Sequence, residues 1–199
     1  MRSRNPMSDR LDVVCNRSSA ASHPALHWRI VRYREVGSTN DLAKVSPVWT
    51  VVLAERQTRG RGRSGREWHS PPGGLWLSAA VPPPPPAQGI VAWQVAASLS
   101  AATGLPVRYR PPNDLVLLEK KLGGVLVEGV YQGEEALKAV IGVGINVNNP
   151  ARDFPGSLRE TAISLIEVLG GLQDQEQVLA AVLSGIAAAT KEGKCRPSR

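Results

Sequence analysis

"RPPNDLVLLEKKLGGVLVEG", residues 110–129, sets two prolines ahead of two apolar runs that are divided by charge. Apolar residues on both sides of Glu119 and Lys120 predict a β-hairpin over 114–131, with those two residues at its tip. Pro111 and Pro112 fix the backbone before Asn113 and Asp114, so one short turn can aim both polar side chains into a pocket. Lys121 opens the second strand, and Gly123-Gly124 behind it offers bare backbone to a ligand. Taken singly, each feature is matched by an ordinary turn or a solvated tip.

The neighbouring stretches extend the sheet. "IGVGINVNN" (141–149) alternates two glycines within a β-branched strand, and a two-residue period turns Asn146 to the same side as Gly142 and Gly144. Further strands are expected over 28–36 (WRIVRYREV), 49–55 (WTVVLAE), 74–81 (GLWLSAAV), 106–110 and 136–148. In "STND", Ser38 or Thr39 is placed to cap a short helix through Leu42 and Ala43. Residues 90–103 read as an amphipathic helix closed by Gly104, and two more helices are expected over 161–170 and 174–190. Pro82–Pro86 reads as extended polyproline. The sum is an α+β fold, a mixed and mainly antiparallel β-sheet packed with helices.

"TRGRGRSGREWHSP" (58–71) holds four arginines and three glycines ahead of Trp68. Gly60, Gly62 and Gly65 permit close backbone approach, and Arg61, Arg63 and Arg66 each offer a fork to a carboxylate or phosphate. On its own the stretch also suits a solvated basic loop or a nucleic-acid-binding segment, and Trp68 also suits a core anchor.

At 199 residues, 42% hydrophobic and 21% charged, the chain is sized for one globular domain. Its formal charge of +7 favours anionic partners without selecting one. Cys15 and Cys195 lie in opposite polar tails, which disfavours a disulfide framework and fits a reducing compartment, the cytoplasm. No histidine spacing suggests a metal site, and no apolar run is long enough to span a bilayer. Residues 1–28 lack the apolar core of a secretory signal and read as a flexible extension; 29–191 read as the domain and 192–199 as a short tail.

"STND", "GRGRSGREWHSPPGGLWLS", "RPPND", "KKLGGVLVEG" and "IGVGINVN" occur in this order, and together they resemble the catalytic domain of biotin–protein ligases from about Tyr33 to Thr190. The resemblance implies a biotin/lipoate ligase-like, class II synthetase-like fold. It also implies an ATP-dependent, AMP-forming enzyme of the biotin–[acetyl-CoA-carboxylase] ligase type. Such an enzyme makes biotinyl-5′-AMP from biotin and ATP, then transfers biotin to one lysine of a biotin carboxyl carrier protein. Mg²⁺ is implied with ATP.

Residue roles follow by the same resemblance. Ser38, Thr39, Gln57 and Gly60 match biotin-ring contacts, and Gly124, Leu126, Gly142 and Gly144 match the wall beneath the rings. Arg61 and Arg63 would close over carboxylate and adenylate, Arg66 would hold phosphates, and Lys121 would stabilise the transition state. Trp68, Arg110, Asn113 and Asn146 fall on the nucleotide side, and Asp114 would orient the acceptor lysine. The family's winged helix-turn-helix has no counterpart here, so a stand-alone enzyme without DNA binding is expected; some relatives pair through sheet edges, which leaves a homodimer open.

Three departures stand out. The family's Lys-Trp-Pro-Asn-Asp is Arg110-Pro111-Pro112-Asn113-Asp114, "SPPGGLWLS" is one residue short of the common spacing, and the usual C-terminal β-barrel has no counterpart. A lipoate ligase or octanoyltransferase shares the architecture, and a basic nucleic-acid module shares the charge. Few aromatics interleave the arginines, which argues against a stacking platform for bases.

Overall fold

The computed structural model describes residues 10–16 and 28–192. Its strands are β1 (Arg10–Asn16), β2 (Trp28–Val36), β3 (Thr50–Gln57), β4 (Leu75–Val81), β5 (Arg108–Arg110), β6 (Asp114–Leu117), β7 (Lys120–Gln132) and β8 (Glu135–Ile145). The helices are α1 (Thr39–Val45), α2 (Gln88–Thr103), α3 (Leu158–Thr161), α4 (Leu165–Leu169) and α5 (Gln175–Glu192). All eight strands form one sheet in the order β1-β2-β3-β4-β8-β7-β6-β5. Every neighbouring pair is antiparallel except β2 and β3. The expected mixed, mainly antiparallel α+β architecture is therefore present.

Alternation divides the sheet into two unlike faces. Leu75, Leu77, Ala79 and Val81 of β4 and Ala139, Ile141, Val143 and Ile145 of β8 enter one core with Val91, Val95 and Leu99 of α2 and Val182 and Ile186 of α5. The intervening residues Ser78, Gly142 and Gly144 face the other way, where α1 packs over β3, β4 and β8.

One extra residue decides where Lys121 points. Val116 pairs with Lys121 and Leu115 with Gly123, so Leu122 is a bulge in β7. Strict alternation would send Lys121 to the core side with Val125; instead Leu122 fills the core, and Lys121 emerges on the side of Gly124.

Several expectations are corrected. The hairpin tip is Leu118-Glu119, both with positive φ as a two-residue loop of this hand requires, and Lys120 already belongs to β7. A cis peptide bond between Pro83 and Pro84 interrupts the polyproline run. Residues 90–103 are not cleanly amphipathic, because Trp93 on the outer side of α2 is 55% exposed. The helix expected over 161–170 is divided: Lys121 and Asn146 recruit the Ile163 backbone, and Ser164 restarts α4 with a capping box to Glu167. Arg10–Asn16, expected within a flexible extension, forms the edge strand β1; residues 1–9, 17–27 and 193–199 lie outside the described residues.

Ile141 is fully buried at the centre of the core face. Ile141→Ala is expected to lower stability by about 2–5 kcal/mol through lost burial and a residual cavity, read from urea unfolding.

Candidate active site

A cavity of about 370 Å³ opens on the face opposite the main core. Ser38 and Thr39 reach it from the start of α1, Gln57 from the end of β3, and Arg61, Arg63, Arg66 and Trp68 from the following loop. Asn113, Asp114, Lys121, Gly124 and Leu126 come from the hairpin, and Gly142, Gly144 and Asn146 from β8 and its end. The arginine loop closes on itself through bonds from the Gly62 N–H to Arg66 and from the Trp68 N–H to Gly60.

One end of the cavity is polar and buried. Ser38 is the N-cap of α1, yet its hydroxyl caps no backbone N–H and faces the cavity. Gln57 Oε1 accepts the Thr39 N–H at 2.8 Å, and Gln57 Nε2 donates to Ser70 Oγ at 2.9 Å. Thr39 Oγ1 lies 2.7 Å from Ser78 Oγ, which donates to Asn40 Oδ1. Asn40 Nδ2 donates to Glu128 at 2.6 Å, and Lys44 Nζ lies 2.8 Å from the same carboxylate.

The glycine wall is already covered. A Cβ on Gly142 would collide with Asn40 Oδ1, and one on Gly144 would sit 2.5 Å from Trp68 Nε1. The indole also approaches Gly124, and Lys121 Nζ stands 5.1 Å above its ring. Its Nε1 is buried and has no partner among the described residues. His69 and Phe154 meet edge to face at 5.4 Å and, with Leu158 and Ala162, add a mostly apolar stretch to the lining.

Charges sort into held and free. Arg61 donates twice to Asp41, at 3.0 and 2.5 Å. The hydrogen bond from Arg61 holds the Asp41 carboxyl below its usual range, and the same bond raises the guanidinium. Asp114 accepts from Lys121 at 2.7 Å and Arg110 at 3.3 Å. Arg63 and Arg66 have no acidic partner among the described residues and overhang the cavity. Four cations against Glu67 and Asp114 leave the lining net positive, suited to an anion.

Fifteen of the seventeen residues singled out in the sequence line this one cavity. Gly60 and Arg110 do not. Gly60 supports the loop from behind by accepting the Trp68 N–H at 3.0 Å, and Arg110, on edge strand β5, is drawn to Asp114. Asn146 lines the cavity but has its oxygen and one amide proton engaged by Asn149 and Ile163. Asn40, Asp41, Ser70, Ser78 and Glu128 were not singled out. The only hint was spacing: Glu128 follows Gly124 and Leu126 at the strand period.

The Asp41–Arg61 pair has a defined pH dependence. A carboxyl with a depressed folded pKa contributes fully above the unfolded value, about 3.9, and loses that contribution as pH falls through the folded value. Asp41→Asn is therefore expected to cost at most about 1 kcal/mol at pH 7, since both partners are partly exposed, and the difference should vanish on strong acidification. Urea unfolding of parent and variant across pH checks this.

Comparison with known proteins accords with this geometry. Residues 38–146 match the model of the biotin/lipoate A/B protein ligase family. The bifunctional ligase/repressor BirA of Bacillus spizizenii is 36% identical over 145 residues, which cover 69% of this chain and 45% of that protein. Biotin–protein ligase 2 of Arabidopsis thaliana is 33% identical over 129 residues, 57% of this chain and 39% of that protein. The chain thus spans less than half the length of these curated relatives. The solved biotin protein ligase of Aquifex aeolicus in complex with biotin and ATP superposes with a TM-score of 0.72 at 34% identity, over 82% of this chain and 70% of that one. By sequence and by fold, this chain belongs to the biotin/lipoate A/B protein ligase family.

Proposed function

We propose that the protein is a biotin–protein ligase, which activates biotin with ATP and transfers it to a lysine of a biotin carboxyl carrier protein. The observation that carries this reading is the cavity's division: a buried amide- and hydroxyl-lined end, a flat glycine wall, and overhanging cations. That order matches biotin, with its ureido ring, fused bicycle and terminal carboxylate. Acetyl-CoA carboxylase as the acceptor rests on the resemblance to carrier-modifying enzymes.

In the first step a biotin carboxylate oxygen attacks the α-phosphorus of ATP, and pyrophosphate leaves with the bonding pair of the broken P–O bond. Two anions must approach, so cations have to offset their repulsion. Lys121 is fixed by Asp114 on one side and the Trp68 ring on the other, which pre-aims one ammonium. Arg63 and Arg66 can turn to the phosphates without breaking an ion pair with any described residue. Arg61 is different, because it must leave Asp41 to reach a ligand carboxylate.

In the second step the acceptor amine attacks the acyl carbon and AMP departs. Asp114, which lines the cavity beside Lys121, is the carboxylate assigned to orient the acceptor amine and take its proton. Mg²⁺ fits as a counter-ion carried by ATP. The described residues hold no cluster of three acidic, His or Cys side chains, and Mg²⁺ commonly binds through substrate phosphates with few protein ligands.

Incubated with biotin, ATP and Mg²⁺, the protein is expected to yield biotinyl-AMP and pyrophosphate by mass spectrometry. Lipoate in place of biotin should give no adenylate; a reversed preference would overturn the reading. Lys121→Gln should lower the adenylation rate by roughly 10²–10³ with little change in biotin affinity, as for loss of one transition-state contact. Single-turnover kinetics beside equilibrium titration separate the two effects.

A further inference from the structure

Glu128 lies on the cavity side of β7, two strand periods beyond Gly124, yet it does not line the cavity. It has no partner in the proposed chemistry. Its two oxygens accept from Asn40 Nδ2 at 2.6 Å and Lys44 Nζ at 2.8 Å, both from α1. Burial acts to raise its carboxyl, but the hydrogen bonds from Lys44 and Asn40 outweigh this and hold it below the usual carboxylate range. At neutral pH it is therefore an anion that can only accept.

That single fact orients a row of protons. Asn40 must turn its NH₂ toward Glu128, so its Oδ1 faces Ser78. An amide oxygen only accepts, so Ser78 gives its one proton to Asn40. Thr39 Oγ1, 2.7 Å from Ser78 Oγ, must then be the donor of that contact. Thr39 Oγ1 also stands 3.0 Å from Gln57 Oε1, but two hydroxyl protons cannot serve three contacts. Gln57 Oε1 is already satisfied by the Thr39 N–H at 2.8 Å, so the Thr39 proton belongs to Ser78. Each donor points one step closer to the carboxylate, and Thr39, which lines the cavity, is left with an oxygen lone pair that no described donor uses.

We propose that Glu128 is a remote positioning residue that, through Asn40 and Ser78, makes Thr39 Oγ1 a strengthened acceptor for a ligand N–H. Hydrogen bonds aligned in one direction polarise one another, and a terminal charge increases the effect. The specificity lies in the sign: the chain favours a ligand with an N–H at this point and disfavours one with a lone pair. Given the biotin reading, on which this inference rests, the group selected is a ureido N–H.

The test compares biotin with its two carbamate analogues, in which oxygen replaces one or the other ureido N–H. Dissociation constants are measured by calorimetry for the parent, Glu128→Gln, Lys44→Gln and Ser78→Ala. The parent is expected to prefer biotin to one analogue by at least about tenfold, the cost of opposing two acceptors in a buried site. In Glu128→Gln that ratio should fall to about two- or threefold, because the neutral amide neither fixes the direction nor supplies charge. Lys44→Gln, which keeps a donor to Glu128, should retain the parental ratio. Ser78→Ala interrupts the chain independently and should also narrow the ratio, with Glu128→Gln adding nothing further in the double variant. If biotin and both analogues weaken equally in Glu128→Gln, or if the two substitutions act additively, the inference is overturned. A parent that binds no biotin would instead overturn the functional reading and the inference with it.

Discussion

A β-strand sends neighbouring side chains to opposite faces, and the cavity depends on how this sheet divides them. One face is filled with Leu, Ile and Val beneath α2 and α5, which holds the strands rigid. The other carries a second apolar cluster of Val52, Val140 and Ala43, and beside it the small and polar residues Ser78, Gly142, Gly144 and Gly124. Without the first face, the second would have no fixed backbone on which to set a site. The bulge at Leu122 shifts the division by one residue in β7 and brings the Lys121 ammonium to the cavity.

Electrostatics then act on this frame. Two of the cavity's cations are committed to carboxylates and two are not. The committed pairs have different characters: Lys121 is held inside the cavity by Asp114, whereas Arg61 is drawn aside toward α1 by Asp41. The protein therefore presents two cations paired with carboxylates and two without an acidic partner among the described residues. α1 joins both ends of this arrangement, since Asp41 restrains the loop while Asn40 and Thr39 organise the buried polar end.

Most strands and the long helices were legible because their signals are local: apolar, β-branched runs and helix stops. "WRIVRYREV" and "GLWLSAAV" carry their signal in consecutive residues, and β2 and β4 fall on them within one residue. Gly104 ends α2 for a reason contained in one residue, its left-handed conformation. What escaped was non-local. The break between α3 and α4 is dictated by Lys121 and Asn146, which lie far away in the chain and take the Ile163 backbone into their own bonding. The Leu122 bulge is visible only once Leu115 and Val116 supply the register. Asn40 and Asp41 sat within a stretch already marked, but their partners Glu128, Ser78 and Arg61 come from three other segments. Arg110 matched a family position, yet an edge strand and a nearby Asp114 draw it off the cavity lining.

Trp68 carries a last consequence. Its indole rests on the bare backbone of Gly124 and Gly144 with a buried N–H that satisfies no acceptor among the described residues. The flat wall is thus shielded from water by a resident ring, which spares the fold an exposed apolar patch. That resident is one hydrogen bond short, a deficit on the order of 1–3 kcal/mol, set against its edge-to-face contact with Trp76 at 6.4 Å and the Lys121 ammonium 5.1 Å over its ring. Any flat guest at Gly124 and Gly144 must therefore either share the wall with this ring or displace it.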